Sequence, residues 1–130
     1  QNFGLESASK ISAANTALKH GMRCTCHQDS PVIDANMIET IWCAVNRKTK
    51  AGVILGPDER ISPLEALKAV TINAAYQYFE ENQKGSLKPG KKADLVILSD
   101  KPLKIDPMKI RDIQVLQTIK DAKVIYQRGK

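Results

Sequence analysis

The sequence predicts an α+β fold in which helical segments come first and strands follow. Residues 7–82 carry three runs with apolar side chains at helical spacing, whereas 83–128 carry short apolar runs between turn-forming residues. Aromatic residues make up only 5% of the chain, so we expect a core of Ile, Leu, Val and Ala. The 130 residues are too few for a complete (β/α)₈ barrel, which needs roughly 250 residues.

Charge and cysteine content limit the classes of function. The net charge is +6, but the basic residues are spread along the chain, with the densest groups at 47–50 and 88–92. No helix-turn-helix, zinc-finger or aromatic–basic pattern accompanies them, so we expect no nucleic-acid partner. Three cysteines without a secretory signal at 1–10 indicate reduced thiols and a cytoplasmic protein. No run is long and apolar enough to predict a membrane span.

Two elements are predicted at the start of the chain. Apolar spacing predicts a helix over 7–20, which His20 and Gly21 end. The run 22–27 predicts a short buried strand, and the polar residues that lead to Pro31 end it. A helix followed by a strand that ends in a polar loop is typical of an α/β unit.

Two further helices carry N-terminal capping signals. Asn36 is predicted to cap a helix over 36–48. Ser62, with Pro at the next position and Glu three positions on, predicts a capped helix over 62–81 with a break near 71–73.

The last third of the chain is predicted to form strands. Apolar runs at 93–98, 113–119 and 123–127 predict one strand each. Asp121 and Ala122, between the last two runs, predict a hairpin turn, and the Asp-Pro pair at 106–107 predicts a short helical turn.

Asp29 is the first candidate for chemistry. It lies where the predicted strand 22–27 gives way to a loop, and catalytic groups of parallel α/β structures gather at the carboxyl ends of strands. A carboxylate there can bind a metal, take a proton from metal-bound water and return it to a leaving group. The alternative is a turn-forming role, because Asp before Ser-Pro is common in loops.

The residues before Asp29 include three more possible metal ligands, Cys24, Cys26 and His27. Structural zinc sites use a second, distant pair of ligands, which this sequence lacks. Alternation along a strand also places the two cysteines on one face and His27 on the other. We therefore predict that both thiols, and that of Cys43, are packed in the core. His27 either lines a site or is a hydrogen-bonded structural residue.

Several runs form a pattern that covers the chain from about Ser7 to Gln127. They are HQDSPV at 27–32, ERIS at 59–62, EAL at 65–67, TINAA at 71–75, GSLKPGKKADLVIL at 85–98 and VIY at 124–126. With these runs the chain resembles the C-terminal part of an amidohydrolase-superfamily protein. The branch it resembles is amidohydrolase 3, a group of TIM-barrel metal-dependent hydrolases of which some members are labelled exoenzyme regulatory proteins.

The resemblance implies an architecture and a site. Residues 1–82 resemble the C-terminal end of the barrel, its last strand and closing helices, and 83–130 resemble part of the small composite β-sandwich domain. Asp29 resembles the strand-8 aspartate, which binds metal or shuttles a proton while metal-activated water hydrolyses non-peptide amide or cyclic amide C–N bonds. His27 would line that site. A divalent metal, with zinc as the expected ion, is implied for the full-length parent and its small-molecule substrate.

Departures from the family pattern limit what this piece is expected to do. The family's His-x-His pair and its carboxylated lysine belong upstream and are absent here, while a catalytic metal needs about three protein ligands. We therefore expect an inactive fragment that holds no metal by itself. Asp121 also stands where a glycine is usual. The alternative is a non-enzymatic regulatory or oligomerisation module that associates through exposed strand edges.

Overall fold

The computed structural model describes residues 4–129 and confirms the α+β fold. The helices are α1 (Gly4–Ser9), α2 (Ala14–Lys19), α3 (Met37–Asn46), α4 (Pro63–Val70) and α5 (Ile72–Gln77). The strands are β1 (Leu95–Leu98), β2 (Val115–Lys120) and β3 (Lys123–Gln127), with 3₁₀ turns at Pro57–Glu59 and Pro107–Asp112. Residues 1–3 and 130, which the predicted domains include, lie outside the described residues. Within that range, no helix has the length and apolar character needed to cross a membrane.

The prediction of one helix over 7–20 is wrong, because two short helices, α1 and α2, take its place. The chain turns between them at Ser12, whose φ of 54° is left-handed. The Arg47 guanidinium donates to carbonyls freed at this break, at 3.0 Å for Ser12 and 2.7 Å for Ile11. A distant arginine thus stabilises a break that local apolar spacing does not reveal. The predicted helix end at His20 is confirmed as the C-cap of α2.

The predicted N-terminal caps of α3 and α4 are confirmed. The Asn36 side chain accepts a hydrogen bond from the Glu39 N–H at 3.2 Å, and the Ser62 hydroxyl accepts one from the Glu65 N–H at 3.2 Å. Each bond satisfies an N–H group that has no partner inside its helix. The predicted break in the second helix is at Thr71, whose backbone is not helical and separates α4 from α5.

The core lies between α3, α4 and the second 3₁₀ turn. Its buried side chains come from both halves of the sequence: Ile38, Ile41, Trp42, Val45, Ile61, Ala66, Ile110 and Ile113. The Trp42 indole N–H donates to the Met108 carbonyl at 2.9 Å, and the Asn46 side-chain amide donates to the Pro107 carbonyl at 2.9 Å. The core therefore takes side chains from both sides of the predicted domain boundary at 82/83, which stays a prediction.

The prediction that Cys43 belongs to this core is wrong. Cys43 is exposed, although Trp42 before it is buried. The reason is helical periodicity, because each residue of a helix turns by about 100° and the apolar stripe of α3 does not include every position.

The three strands form one antiparallel sheet in the order β1-β2-β3. The predicted hairpin between β2 and β3 is confirmed, and its turn residues Asp121 and Ala122 have left-handed φ angles of 49° and 63°. The Asp121 N–H donates to Asp94 Oδ1 at 2.8 Å, which ties the turn to the start of β1. An aspartate in place of the usual glycine thus leaves the hairpin intact. Every residue of the outer strand β3 is exposed.

Candidate functional site

Asp29 follows an irregular segment, 22–28, which is neither helix nor strand. The prediction of a strand here is wrong, because no neighbouring strand within residues 4–129 supplies the hydrogen bonds of a ladder. The alternation expected of a strand is nevertheless present. Cys24, Cys26 and Gln28 are half-buried, and the residues between them are exposed. The prediction that the thiols of Cys24 and Cys26 are packed in the core is therefore wrong, because both residues are only half-buried and neither belongs to the core cluster.

Contacts with α2 and α5 hold this segment in place. The buried Asn73 side chain donates to the Cys24 carbonyl at 2.9 Å. The Arg23 guanidinium lies 3.9 Å from the centre of the Tyr76 ring, a cation–π contact. The Cys24 thiol lies 3.7 Å from the Ala14 carbonyl oxygen. The Asn of the TINAA run therefore has a physical role, which is to fix the segment that leads to Asp29.

The geometry of Asp29 is that of a turn residue with an accessible side chain. Its φ is 55°, and its carbonyl accepts a hydrogen bond from the Val32 N–H at 2.9 Å. The residue is exposed, so water or a small molecule can reach its carboxylate. The turn-forming role that the sequence left open is thus present, and it does not exclude chemistry at the carboxylate.

His27 lies next to this turn and is exposed. Its Nδ1 accepts a hydrogen bond from the Asp29 backbone N–H at 3.0 Å. A ring nitrogen that accepts carries no proton, so Nε2 is the donor of the neutral ring. The hydrogen-bonded structural role is therefore present, and it engages Nδ1 of the ring and not Nε2.

A divalent metal is implied by the family resemblance, but the described residues do not fit a complete site for one. No group of three His, Cys, Asp or Glu side chains within 4–129 is placed to hold an ion. Asp29 and His27 would supply two ligands, where catalytic zinc uses about three. Burial raises the pKa of Cys26, and the neighbouring Cys24 adds to this effect. A raised pKa makes the thiolate, which is the form that binds metal, less favourable.

Gln28 is a residue of this site that the sequence analysis did not single out. Its Nε2 donates to the Asn36 carbonyl at 2.8 Å, and its Oε1 accepts the Asn36 N–H. Asn36 also caps α3, so this pair attaches the loop after Asp29 to a helix of the core. No periodicity or motif signals the pair, because a side chain bonds the backbone of a residue eight positions away.

The ERIS run at 59–62 holds the helices that surround the segment. The Glu59 carboxylate accepts hydrogen bonds from the hydroxyl of Thr16 and, at 2.9 Å, from its N–H, in the first turn of α2. Both bonds lower the pKa of Glu59, and the bond from the hydroxyl has the larger effect. Arg60 Nε donates to the Asn46 carbonyl at 3.1 Å, at the end of α3. The run thus serves to position helices, and none of its contacts points to a reacting group.

Comparison with known sequences relates the chain to one family. Residues 1–126 match the family model described as Amidohydrolase family. An N-substituted formamide deformylase of Arthrobacter pascens is 34% identical over 119 residues, which cover 92% of this chain and 22% of that protein. The putative amidohydrolase YtcJ of Bacillus subtilis (strain 168) is 26% identical over 120 residues, which cover 90% of this chain and 23% of that protein.

A solved structure is also similar. The crystal structure of an amidohydrolase from Thermotoga maritima MSB8 matches with a TM-score of 0.62 and 25% identity, over 95% of this chain and 26% of that one. The chain thus spans about a quarter of the length of these relatives. A family match over nearly the whole sequence, together with a relative 34% identical across most of it, shows that the chain belongs to the amidohydrolase family.

Proposed function

We propose that this chain is the C-terminal portion of a metal-dependent hydrolase that cleaves non-peptide C–N bonds of small molecules. In this proposal, residues 1–82 are the last strand and closing helices of a TIM barrel, and 83–130 are part of a composite β-sandwich domain. Residues 22–27 would be the eighth barrel strand, and the strands that would pair with it would belong to polypeptide outside residues 4–129. The formamide deformylase suggests N-substituted formamides as the first substrates to test.

The observation that carries the proposal is an excess of exposed surface. A folded monomer of 14.4 kDa is expected to expose about 6,800 Å². This chain exposes 9511 Å². The excess is roughly three times the 800 Å² that each partner loses in a standard interface. Exposed apolar side chains are spread over the helices, the loops and the sheet, as in Leu5, Val32 and Ile125. A surface of this size supports extensive contact with further protein.

Within such an enzyme, Asp29 would be the general base and acid. Its accessible carboxylate would take a proton from the attacking water and return it to the leaving nitrogen, so that its charge is restored after each turnover. His27 Nε2 would line the same site. The metal would lower the pKa of the water, and its remaining ligands would come from outside residues 4–129.

The test compares two polypeptides, the chain alone and the chain joined to the residues encoded upstream in its reading frame. Hydrolysis of N-substituted formamides and N-acyl compounds is measured with added zinc. We expect turnover only by the longer polypeptide, and we expect Asp29→Asn to lower its kcat by about 10²–10⁴-fold, the usual contribution of a general acid–base. Asp34→Asn, the same change at an exposed position in the same loop, is the matched control and should retain activity.

Two outcomes contradict the proposal. Turnover by the 130-residue chain alone, abolished by Asp29→Asn, would show that the chain holds a complete catalytic centre. An unchanged kcat for Asp29→Asn in an active longer polypeptide would remove the role assigned to Asp29.

A second candidate is a non-enzymatic regulatory or oligomerisation module, and the outer strand favours it. All residues of β3 are exposed, including the apolar Val124, Ile125 and Tyr126. Such an edge can pair with another chain. Sedimentation equilibrium tests this candidate. It would be supported if the isolated chain formed a stable oligomer and Ile125→Lys converted that oligomer to a monomer. A monomer at all concentrations would remove it.

We expect no nucleic-acid binding, and this expectation needs its own test. In each basic group one cation donates to backbone carbonyls of the chain, namely Arg47 at 47–50 and Lys91 at 88–92. We expect no DNA binding in a titration at low salt, where non-specific electrostatic binding is strongest.

A further inference from the structure

The loop that begins at Asp29 is not fixed by packing. All residues of 29–36 are exposed, including the apolar Val32 at 76% and Ile33 at 57%. Burial of apolar side chains, which fixes α3 and the 3₁₀ turn next to it, therefore contributes little to the position of this loop. The position of this loop therefore depends on hydrogen bonds.

The half-buried Gln28 side chain supplies such bonds at the base of the loop. Its primary amide donates to the Asn36 carbonyl and accepts the Asn36 N–H, so both groups of one backbone residue are paired with one planar side chain. Two bonds in one plane restrict rotation as well as distance. The pair joins the loop to the N-terminus of α3, which is the helix with the most buried side chains.

The chain on the other side of Asp29 is fixed as well. Asn73 holds the Cys24 carbonyl at 2.9 Å, and Arg23 stacks on Tyr76 of α5. The chain is thus attached to α5 at one point and to α3 at Gln28. Asp29 is the first residue beyond the second attachment, and its φ of 55° turns the chain there.

We propose that Gln28 is a positioning residue, whose side-chain amide closes the loop onto Asn36 and thereby sets where the Asp29 carboxylate stands. This inference rests on the proposed role of Asp29 in hydrolysis. It adds a residue that acts through Asp29 and touches no substrate.

The first experiment measures amide hydrogen exchange in the 130-residue chain. Gln28→Leu removes both bonds, and we expect exchange at Asp29 and Val32, whose amides are not themselves bonded to Gln28, to rise about tenfold. Gln28→Glu keeps the acceptor for the Asn36 N–H and should give an intermediate rise.

Gln83→Leu is the matched control, because this glutamine is exposed on a turn distant from the loop in sequence, and it should leave these amides unchanged. Exchange within α3 serves as the check that each variant is folded. The inference is overturned if, in Gln28→Leu, the amides of Asp29 and Val32 exchange at wild-type rates while α3 stays protected. Gln28 would then not order the loop.

The second experiment measures kinetics in the longer polypeptide. We expect Gln28→Leu to lower kcat by about 10–100-fold with little change in KM, because a shift of about 1 Å in a reacting group can cost 10²-fold. Gln28→Glu should recover part of the loss. If Asp29→Asn abolishes turnover and Gln28→Leu does not lower kcat, the positioning role fails while the proposed function stands. If Asp29→Asn has no effect in an active longer polypeptide, the role assigned to Asp29 fails, and the positioning role of Gln28 in catalysis fails with it.

Discussion

The segment at 22–36 and the core around α3 are held by different forces. Around α3, apolar side chains such as Ile41 and Ile110 are almost fully buried and exclude water. At 22–36, no residue is buried, and side-chain hydrogen bonds from Asn73 and Gln28 fix the backbone. Both regions are ordered, but only the first can contribute much to the free energy of unfolding.

The difference indicates where stability and chemistry reside in this chain. The candidate site lies on the region with little packing, so changes there should affect reactivity more than folding. The core region carries no candidate for chemistry, so changes there should do the reverse. Single substitutions in the two regions test this separation.

The core should be sensitive to the loss of a single side chain. Ile110 is 0% exposed, and Ile110→Ala is expected to lower the free energy of unfolding by about 2–5 kcal/mol, the usual cost of a buried Ile→Ala change. The same change at Ile33, which is 57% exposed in the loop, should cost less than about 0.5 kcal/mol. Urea unfolding measures both, and equal losses would refute the separation.

Trp42 should contribute through both its ring and its N–H. Trp42→Phe removes the hydrogen bond to the Met108 carbonyl and reduces the face on which Arg111 stacks at 4.1 Å. We expect the free energy of unfolding to fall by about 1–3 kcal/mol, because the partly buried Met108 carbonyl loses its hydrogen-bond donor. Tyr78→Phe, at a residue that is 71% exposed, is the control and should change little in the same unfolding assay.

Glu59 should make stability depend on pH. Hydrogen bonds from Thr16 lower its pKa, so the folded state holds the ionised form more favourably than the unfolded state does. Its contribution is present above the unfolded pKa of about 4.3 and is lost as pH falls through the lower folded value. Glu59→Gln should therefore be less stable than the wild type at pH 7, and the difference in the free energy of unfolding should shrink as pH falls through the lowered folded pKa of Glu59.

Unfolding midpoints between pH 7 and pH 3 check the role of Glu59. Thr16→Val removes the hydroxyl donor and should reduce the same acid dependence. Its effect should not add to that of Glu59→Gln, since both changes remove one interaction. Additive losses would show that Glu59 stabilises the fold through something other than Thr16.

The smallest effect on stability is expected at the candidate site. Asp29 is exposed, and asparagine tolerates a positive φ about as well as aspartate does. Asp29→Asn should therefore change the free energy of unfolding by less than about 0.5 kcal/mol. A loss above 2 kcal/mol in urea unfolding would make Asp29 a structural residue and weaken the case for chemistry.

Signals that lie within a few residues were sufficient to predict much of the fold. The caps at Asn36 and Ser62, the break at Thr71 and the hairpin at Asp121 all depend on neighbouring residues, and all are confirmed. The α+β class followed from the order of these local elements.

The predictions are wrong where the structure depends on residues that are distant in the sequence. Arg47 stabilises the break between α1 and α2 from more than thirty positions away. The predicted strand at 22–27 shows alternating burial, but no partner strand lies within residues 4–129, and no local pattern reveals this. Gln28 was missed because a bond from a side chain to the backbone across a loop leaves no periodic signal. The sequence alone identifies Asp29 as the candidate, whereas the contacts that hold its segment are visible only in the structure.

Under the proposed function, residues 4–129 would supply only part of a metal centre. Equilibrium dialysis of the reduced 130-residue chain against zinc tests it directly, with Asp29→Asn and His27→Gln as comparisons. We expect that neither substitution changes the amount of zinc bound, because any weak binding by the thiols does not involve these two side chains. One zinc ion bound tightly per chain and lost in both variants would show that this chain holds a metal by itself.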